Sequence, residues 1–179
     1  IGGAKVYTLG IGPRAFGLIS RAYAWIPATR ALRDIGPDNA LLFTDEQTYG
    51  PLLQRFRNLR IIEYIHFPIE ASIDRRYADL GYHYSEDPYI KSRYGKFPMN
   101  VYWRIYVRLI RRYLRPNPFE SARAVLTNSR WTADVIRRVH GEEPIVLNPP
   151  LPPSASVVGT PAPFDARRDA VVMLGRFSE

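Results

Sequence analysis

Four short apolar runs, at residues 40–44 (ALLFT), 60–66 (RIIEYIH), 122–127 (ARAVLT) and 144–147 (PIVL), are separated by stretches of helical spacing. This alternation constrains the fold more than any other feature of the chain. Short runs with little internal polarity predict strands buried in a parallel sheet, and the intervening helices predict βαβ crossovers. A further strand is expected at 4–9 (AKVYTL), closed by Gly10 and Gly12, and a helix over 15–33 that bends near Pro27. Gly36, Pro37, Asp38 and Asn39 form a turn, and 49–57 has helical spacing. The aromatic, charged segment 69–98 predicts a long, partly ordered surface excursion. Residues 99–115 carry the clearest helical pattern. Val101, Tyr102, Ile105, Tyr106, Leu109, Ile110 and Tyr113 fall on one face, and Arg104, Arg108, Arg111 and Arg115 on the other. Asn128 and Ser129 precede a helix predicted over 130–140, which Gly141 ends. The fold class these elements predict is α/β, with a Rossmann-like parallel sheet flanked by helices.

The domain organisation follows from a change in composition. Residues 1–147 hold the alternating pattern, 148–169 are rich in Pro and small residues, and 170–179 restart a β pattern with VVML followed by Gly175 and Arg176. The expectation is one lobe of a two-lobed enzyme, lacking its own first strand or strands. A Pro-rich linker and the truncated beginning of a second, nucleotide-sugar-binding lobe would follow. Such a fragment is expected to be inactive alone. Cysteine is absent, which excludes disulfides and thiolate metal sites, and three scattered histidines build no metal-ligand cluster. No metal cofactor is expected. The formal charge of +8 comes mostly from Arg, whose fork suits phosphate. It favours an anionic partner, or else reflects an Arg-rich genome or thermophile composition. No phosphate-binding P-loop, nucleophile elbow or zinc-protease motif occurs.

Candidate chemistry gathers at the predicted carboxyl ends of the strands, where open α/β sheets place ligands. His66 ends one strand, Asp45 follows a second, and Asn128 with Ser129 follows a third. His66 could donate to a sugar hydroxyl or carry a proton; it could also be a strand-end histidine satisfied by backbone. Asp45 could serve as a turn residue, and Asn128 and Ser129 as a helix cap. Gly175 permits close approach to the chain and Arg176 suits a diphosphate. The Arg-faced helix reads either as a membrane-facing surface or as a core helix with a solvated side. No recognisable nucleic-acid motif is present, and nucleic acid is not an expected partner.

The segments YIHFP (64–68), TNSRWTADVI (127–136), VLNPP (146–150) and VVMLGRFSE (171–179), in this order and spacing, resemble the first lobe and crossover of GT-B glycosyltransferases of family 4. The likeness is greatest to the subgroup of α-1,2-mannosyltransferases that extend dolichol-pyrophosphate-linked oligosaccharide. It covers roughly 36–68 and 120–179. It implies a retaining hexosyltransferase, peripheral on the cytosolic face of a membrane. Mannose would move from GDP-mannose to a polyprenyl- or dolichol-linked glycan or another glycan acceptor, with no metal required. By the same resemblance His66 would contact the donor hexose, Gly175 and Arg176 would meet the donor diphosphate, and Arg104, Arg108, Arg111 and Arg115 would face anionic lipid. Phe67 replaces the Tyr usual in that subgroup, which loosens the assignment of the acceptor. The competing expectation is a stand-alone α/β module that binds anionic lipid or nucleic acid without catalysis.

Overall fold

A computed structural model describes residues 17–150, together with Pro163 and Asp165. By internal contacts the chain divides into Ile1–Asn148 and Pro149–Glu179, and the fold described is that of the first unit. The expected strand at 4–9, most of the connector at 148–169, the strand at 170–174 and the candidates Gly175 and Arg176 lie outside the described residues.

The architecture is Rossmann-like α/β. Strands β1 (Leu41–Thr44), β2 (Arg60–Ile65), β3 (Ala124–Thr127) and β4 (Ile145–Val146) form one parallel sheet in chain order. Because spatial order follows chain order, the described strands contain no reversal of the kind that marks a switch point in doubly wound sheets. Register rows run straight across the sheet. Thr44, Glu63 and Val125 share one row, and Ile65, Thr127 and Val146 the next row on the same face.

This face is covered by helices, and Ile61, Glu63, Ile65 and Thr127 on it are completely buried. Over β1 and β2, helices α2 (Trp25–Ile35) and α3 (Gly50–Arg55) place Leu32, Tyr49 and Leu52 against Ile61. Over β3, helix α8 (Arg130–His140) places Ile136 against Ile65 and Val125. The opposite face, with Leu41 and Phe43 in β1 and Ile145 and Leu147 at β4, is open, each of the four being more than half exposed. Parallel sheets are ordinarily buried on both sides.

Several elements differ from expectation, for local reasons. The first helical stretch is broken at Tyr23 and Ala24, between α1 (Gly17–Ala22) and α2, not bent at Pro27. Pro27 stands in the first turn of α2, where its missing N–H costs nothing. The segment 69–98 is ordered. It forms α4 (Ile69–Ile73), a 3-10 turn (Arg75–Leu80) and α5 (Pro88–Tyr94). Asp74 and Asp87 cap the last two through their carboxylates, and Ala71, Ile73 and His83 are buried.

Helix α6 (Met99–Tyr113) stops two residues short of the expected end, since Leu114 turns extended at φ −54° and ψ 137°. Val101 and Ile105, expected in the core, are exposed beside Arg104 and Arg108; Val107 and Ile110 are the fully buried positions. Arg111 is exposed and donates to the Ile73 carbonyl. Arg115 is the clear correction. It lies beyond the helix, is buried, and forms ion pairs with Glu63 and Glu70, so it presents no charge to a membrane. Gly50 makes this possible: a Cβ there would sit 2.7 Å from the Leu114 carbonyl oxygen, so α3 and the end of α6 approach too closely for any side chain. A one-turn helix α7 (Pro118–Ser121), capped by Asn117, completes the path into β3.

Candidate functional site

The carboxyl edge of the sheet is a row of polar strand ends joined to one another. Asp45 follows β1, His66 follows β2, Asn128 follows β3 and Asn148 lies just after β4. Asn128 Nδ2 donates to the His66 carbonyl at 3.2 Å, and Asn148 Nδ2 donates to the Asn128 carbonyl at 3.1 Å. The His66 imidazole Nε2 lies 3.9 Å from Asp45 Oδ2. These short spacings arise because parallel strands in register end side by side, and each side-chain amide reaches one strand over to take up a carbonyl the ladder leaves unpaired.

The histidine side chain is 59% exposed and the aspartate 53%, so both reach open solvent. Tyr64, two residues earlier on the same strand, meets the His66 ring edge-on at 5.0 Å and donates its hydroxyl to the Leu147 carbonyl at 2.9 Å. Ser129 is the N-cap of α8, accepting from the Thr132 N–H at 3.1 Å, and the Thr132 hydroxyl donates to Asn128 Oδ1 at 2.6 Å. Asn128 is therefore held at both ends of its amide. The backbone at His66 is fixed from the neighbouring strand, while its ring stays accessible.

Beneath the rim, on the covered face, lies a buried ionic cluster. Arg115 Nε donates to both Glu63 oxygens at 3.0 and 3.1 Å, its Nη1 donates to Glu70, and Tyr49 donates its hydroxyl to Glu63 at 2.7 Å. Burial pushes the Glu63 carboxyl above its usual range against the opposing pull of Arg115. For Arg115, burial acts downward, but the two carboxylates outweigh it and the guanidinium is held still more firmly charged. Burial and the Glu63 charge push Tyr49 up. His140 Nε2 stands 3.6 Å from Glu70 Oε1; burial there lowers the imidazole pKa. This cluster has the character of a structural anchor, since Arg115 and Glu63 at its centre are out of reach of solvent.

The structure thus brings together Asp45, His66, Asn128 and Ser129. It places Arg104, Arg108 and Arg111 on α6 and Arg115 in the interior, and it does not describe Gly175 or Arg176. Among the described residues no group of three His, Asp or Glu side chains is arranged to hold a metal ion. Sequence reasoning missed Asn148, which donates across to the Asn128 loop. It also missed an aromatic group just beyond His66. Phe67 stacks on Trp131 with centroids 5.9 Å apart, and Tyr82 meets both rings edge-on at 5.4 and 5.6 Å. Trp131 was visible as the second residue of a capped helix, a first-turn position that projects from the sheet's edge; Tyr82 was hidden in a segment read as irregular. Comparison with protein-family models, with curated proteins and with solved structures returns no match.

Proposed function

We propose that this chain is part of a retaining glycosyltransferase that moves a hexose, mannose from GDP-mannose, onto a lipid-linked glycan at an anionic membrane surface on the cytosolic side. The observation that carries the reading is the solvent-facing imidazole of His66 at the carboxyl rim of a parallel sheet, flanked by Asp45 and braced through Asn128. That is where α/β folds present ligand-binding groups. It is also where the YIHFP and TNSRWT segments, which carry the resemblance to family 4 GT-B enzymes, converge.

In this reading His66 forms a hydrogen bond with a hydroxyl of the donor hexose, and Asp45, whose carboxylate lies 3.9 Å from Nε2, borders the same position. Asn128 and Ser129 are positioning residues, fixing the loop that the histidine leans on. A retaining transfer of this kind needs no general base from the protein: the bond between the anomeric carbon and the donor's phosphate oxygen breaks as the acceptor hydroxyl oxygen bonds to that carbon on the same face, and the hydroxyl proton passes to the departing phosphate oxygen. The developing negative charge on the departing nucleoside diphosphate is the quantity to be stabilised. Arg176, with Gly175 allowing close approach, is the residue proposed to meet it. The basic stripe of α6, Arg104 and Arg108 with Arg111 at its edge, would dock on anionic lipid beside the exposed Val101 and Ile105.

The direct test is His66→Ala in the intact enzyme, assayed with GDP-mannose and a polyprenyl-linked acceptor. Because the ring is mostly in solvent, the fold and its melting midpoint should be unchanged, while kcat/KM falls about a hundredfold or more. Turnover close to wild type removes His66 from the site.

A further inference from the structure

The aromatic group beyond His66 borders a concavity with a composition of its own. Phe67 and Tyr82 line it together with Ser72, His83, Glu86 and Asp87, around a volume of about 460 Å³. Trp131 packs on both of these lining aromatics and is itself 54% exposed, so part of the indole next to them is open to solvent. The indole is thus held in a fixed orientation by two other rings while about half of its surface remains available for stacking.

A second, independent observation comes from His83. This residue is only 4% exposed, its Nδ1 is engaged with the Ser85 hydroxyl at 2.7 Å, and its Nε2 is buried without a hydrogen-bond partner. A buried ring nitrogen left unpaired costs free energy that a ligand hydroxyl or a bound water can recover.

The chemistry of the lining selects among ligands. Among the described residues no Lys or Arg lines the hollow, and the two carboxylates disfavour a phosphate or a nucleotide. A prenyl chain would leave those carboxylates and the imidazole unanswered. A neutral pyranose satisfies both halves at once, with its C–H face on the indole, hydroxyls donating to the carboxylates, and a hydroxyl oxygen accepting from the imidazole Nε2–H, since Nδ1 already accepts the Ser85 N–H.

We propose that Trp131, Phe67 and Tyr82, with His83 and Glu86, form a subsite for a neutral sugar ring of a glycan, the stacking surface being the exposed part of the Trp131 indole. Its assignment as the acceptor's glycan rests on the glycosyl-transfer reading, because the subsite adjoins His66 through Phe67. The binding of the sugar itself does not.

The test uses mannotriose as probe, with binding to the full chain followed by saturation-transfer NMR and by tryptophan fluorescence, and inorganic pyrophosphate as the anionic control. Mannotriose should bind saturably and pyrophosphate should not compete. Trp131→Ala should weaken binding about tenfold or more and Trp131→Phe by less, since the smaller ring keeps a stacking face. Glu86→Ala, at an exposed position that the fold does not depend on, should weaken it several-fold. Circular dichroism of each variant should match wild type. Absence of saturable mannotriose binding, or binding that Trp131→Ala leaves unaltered, overturns the subsite. Binding that depends on Trp131 in an enzyme without transferase activity supports the subsite and refutes the glycosyl-transfer reading. Transfer that proceeds with an acceptor KM indifferent to Trp131→Ala does the reverse.

Discussion

At the scale of single residues, Arg115 has the most to say about how this fold is held. Its guanidinium is sealed between Glu63 on β2 and Glu70 on α4, and so ties the sheet to the first turn after it. Removing one member of a buried ionic group leaves the others as uncompensated charge, which typically costs about 3–5 kcal/mol, whereas replacing the group whole is often neutral. Arg115→Met should therefore lower stability to urea by that amount. Arg115→Met combined with Glu63→Leu and Glu70→Leu should recover most of it. A single substitution that proved harmless would mean that solvent reaches the cluster.

Arg115 also shows where reading the sequence fell short. Its spacing of four from Arg111 placed it on a helical face, but periodicity alone does not see the helix end at Tyr113. Nor does it see that Gly50 admits the Leu114 backbone so closely that the next side chain turns inward. The strand-end residues Asp45, His66 and Asn128 were legible for the opposite reason. Each follows directly on a short apolar run, and in a parallel sheet all such ends fall on one edge.

Among the elements, α6 is the one on which the proposed membrane contact can be tested. Its buried side is narrow, centred on Val107 and Ile110, which leaves Val101, Arg104, Ile105 and Arg108 on one solvent-facing stripe. Basic and aliphatic residues mixed in this way suit the headgroup region of an anionic bilayer better than either type alone. Each arginine near such a surface contributes on the order of 1 kcal/mol at physiological ionic strength. Arg104→Glu with Arg108→Glu should reduce co-sedimentation with phosphatidylserine vesicles by at least tenfold at low salt, with no change in the circular dichroism of the chain. Retained sedimentation would place the contact elsewhere. Helical spacing made this helix legible, yet it assigned Ile105 to the core, because amphipathic pattern reports which residues share a face and not whether a neighbour covers it. The segment 69–98 was illegible for a related reason. Its three short helical pieces are set by caps at Asp74 and Asp87 and by aromatic packing, and none is long enough to impress a period on the sequence.

For the whole first unit, the asymmetry of the sheet is the governing fact. Rows such as Phe43, Ile62 and Ala124, and Tyr64, Leu126 and Ile145, face away from the helices, whereas the alternate rows through Glu63 and Ile65 are sealed. Two residues of the same type thus have different energetic weight according to parity alone. On the sealed face, Ile61→Ala removes packed volume at a fully buried position and should cost about 2–5 kcal/mol. On the open face, Phe43→Thr combined with Ile145→Thr keeps β-branched strand formers at positions 59% and 60% exposed, and should shift stability by no more than about 0.5 kcal/mol per site. The same pair should markedly reduce the fluorescence of a bound hydrophobic dye and any concentration-dependent association seen in sedimentation velocity, because it breaks the contiguous apolar surface. Comparable costs on the two faces would mean that Phe43 and Ile145 are buried in solution, and the one-sided packing of this sheet would have to be abandoned.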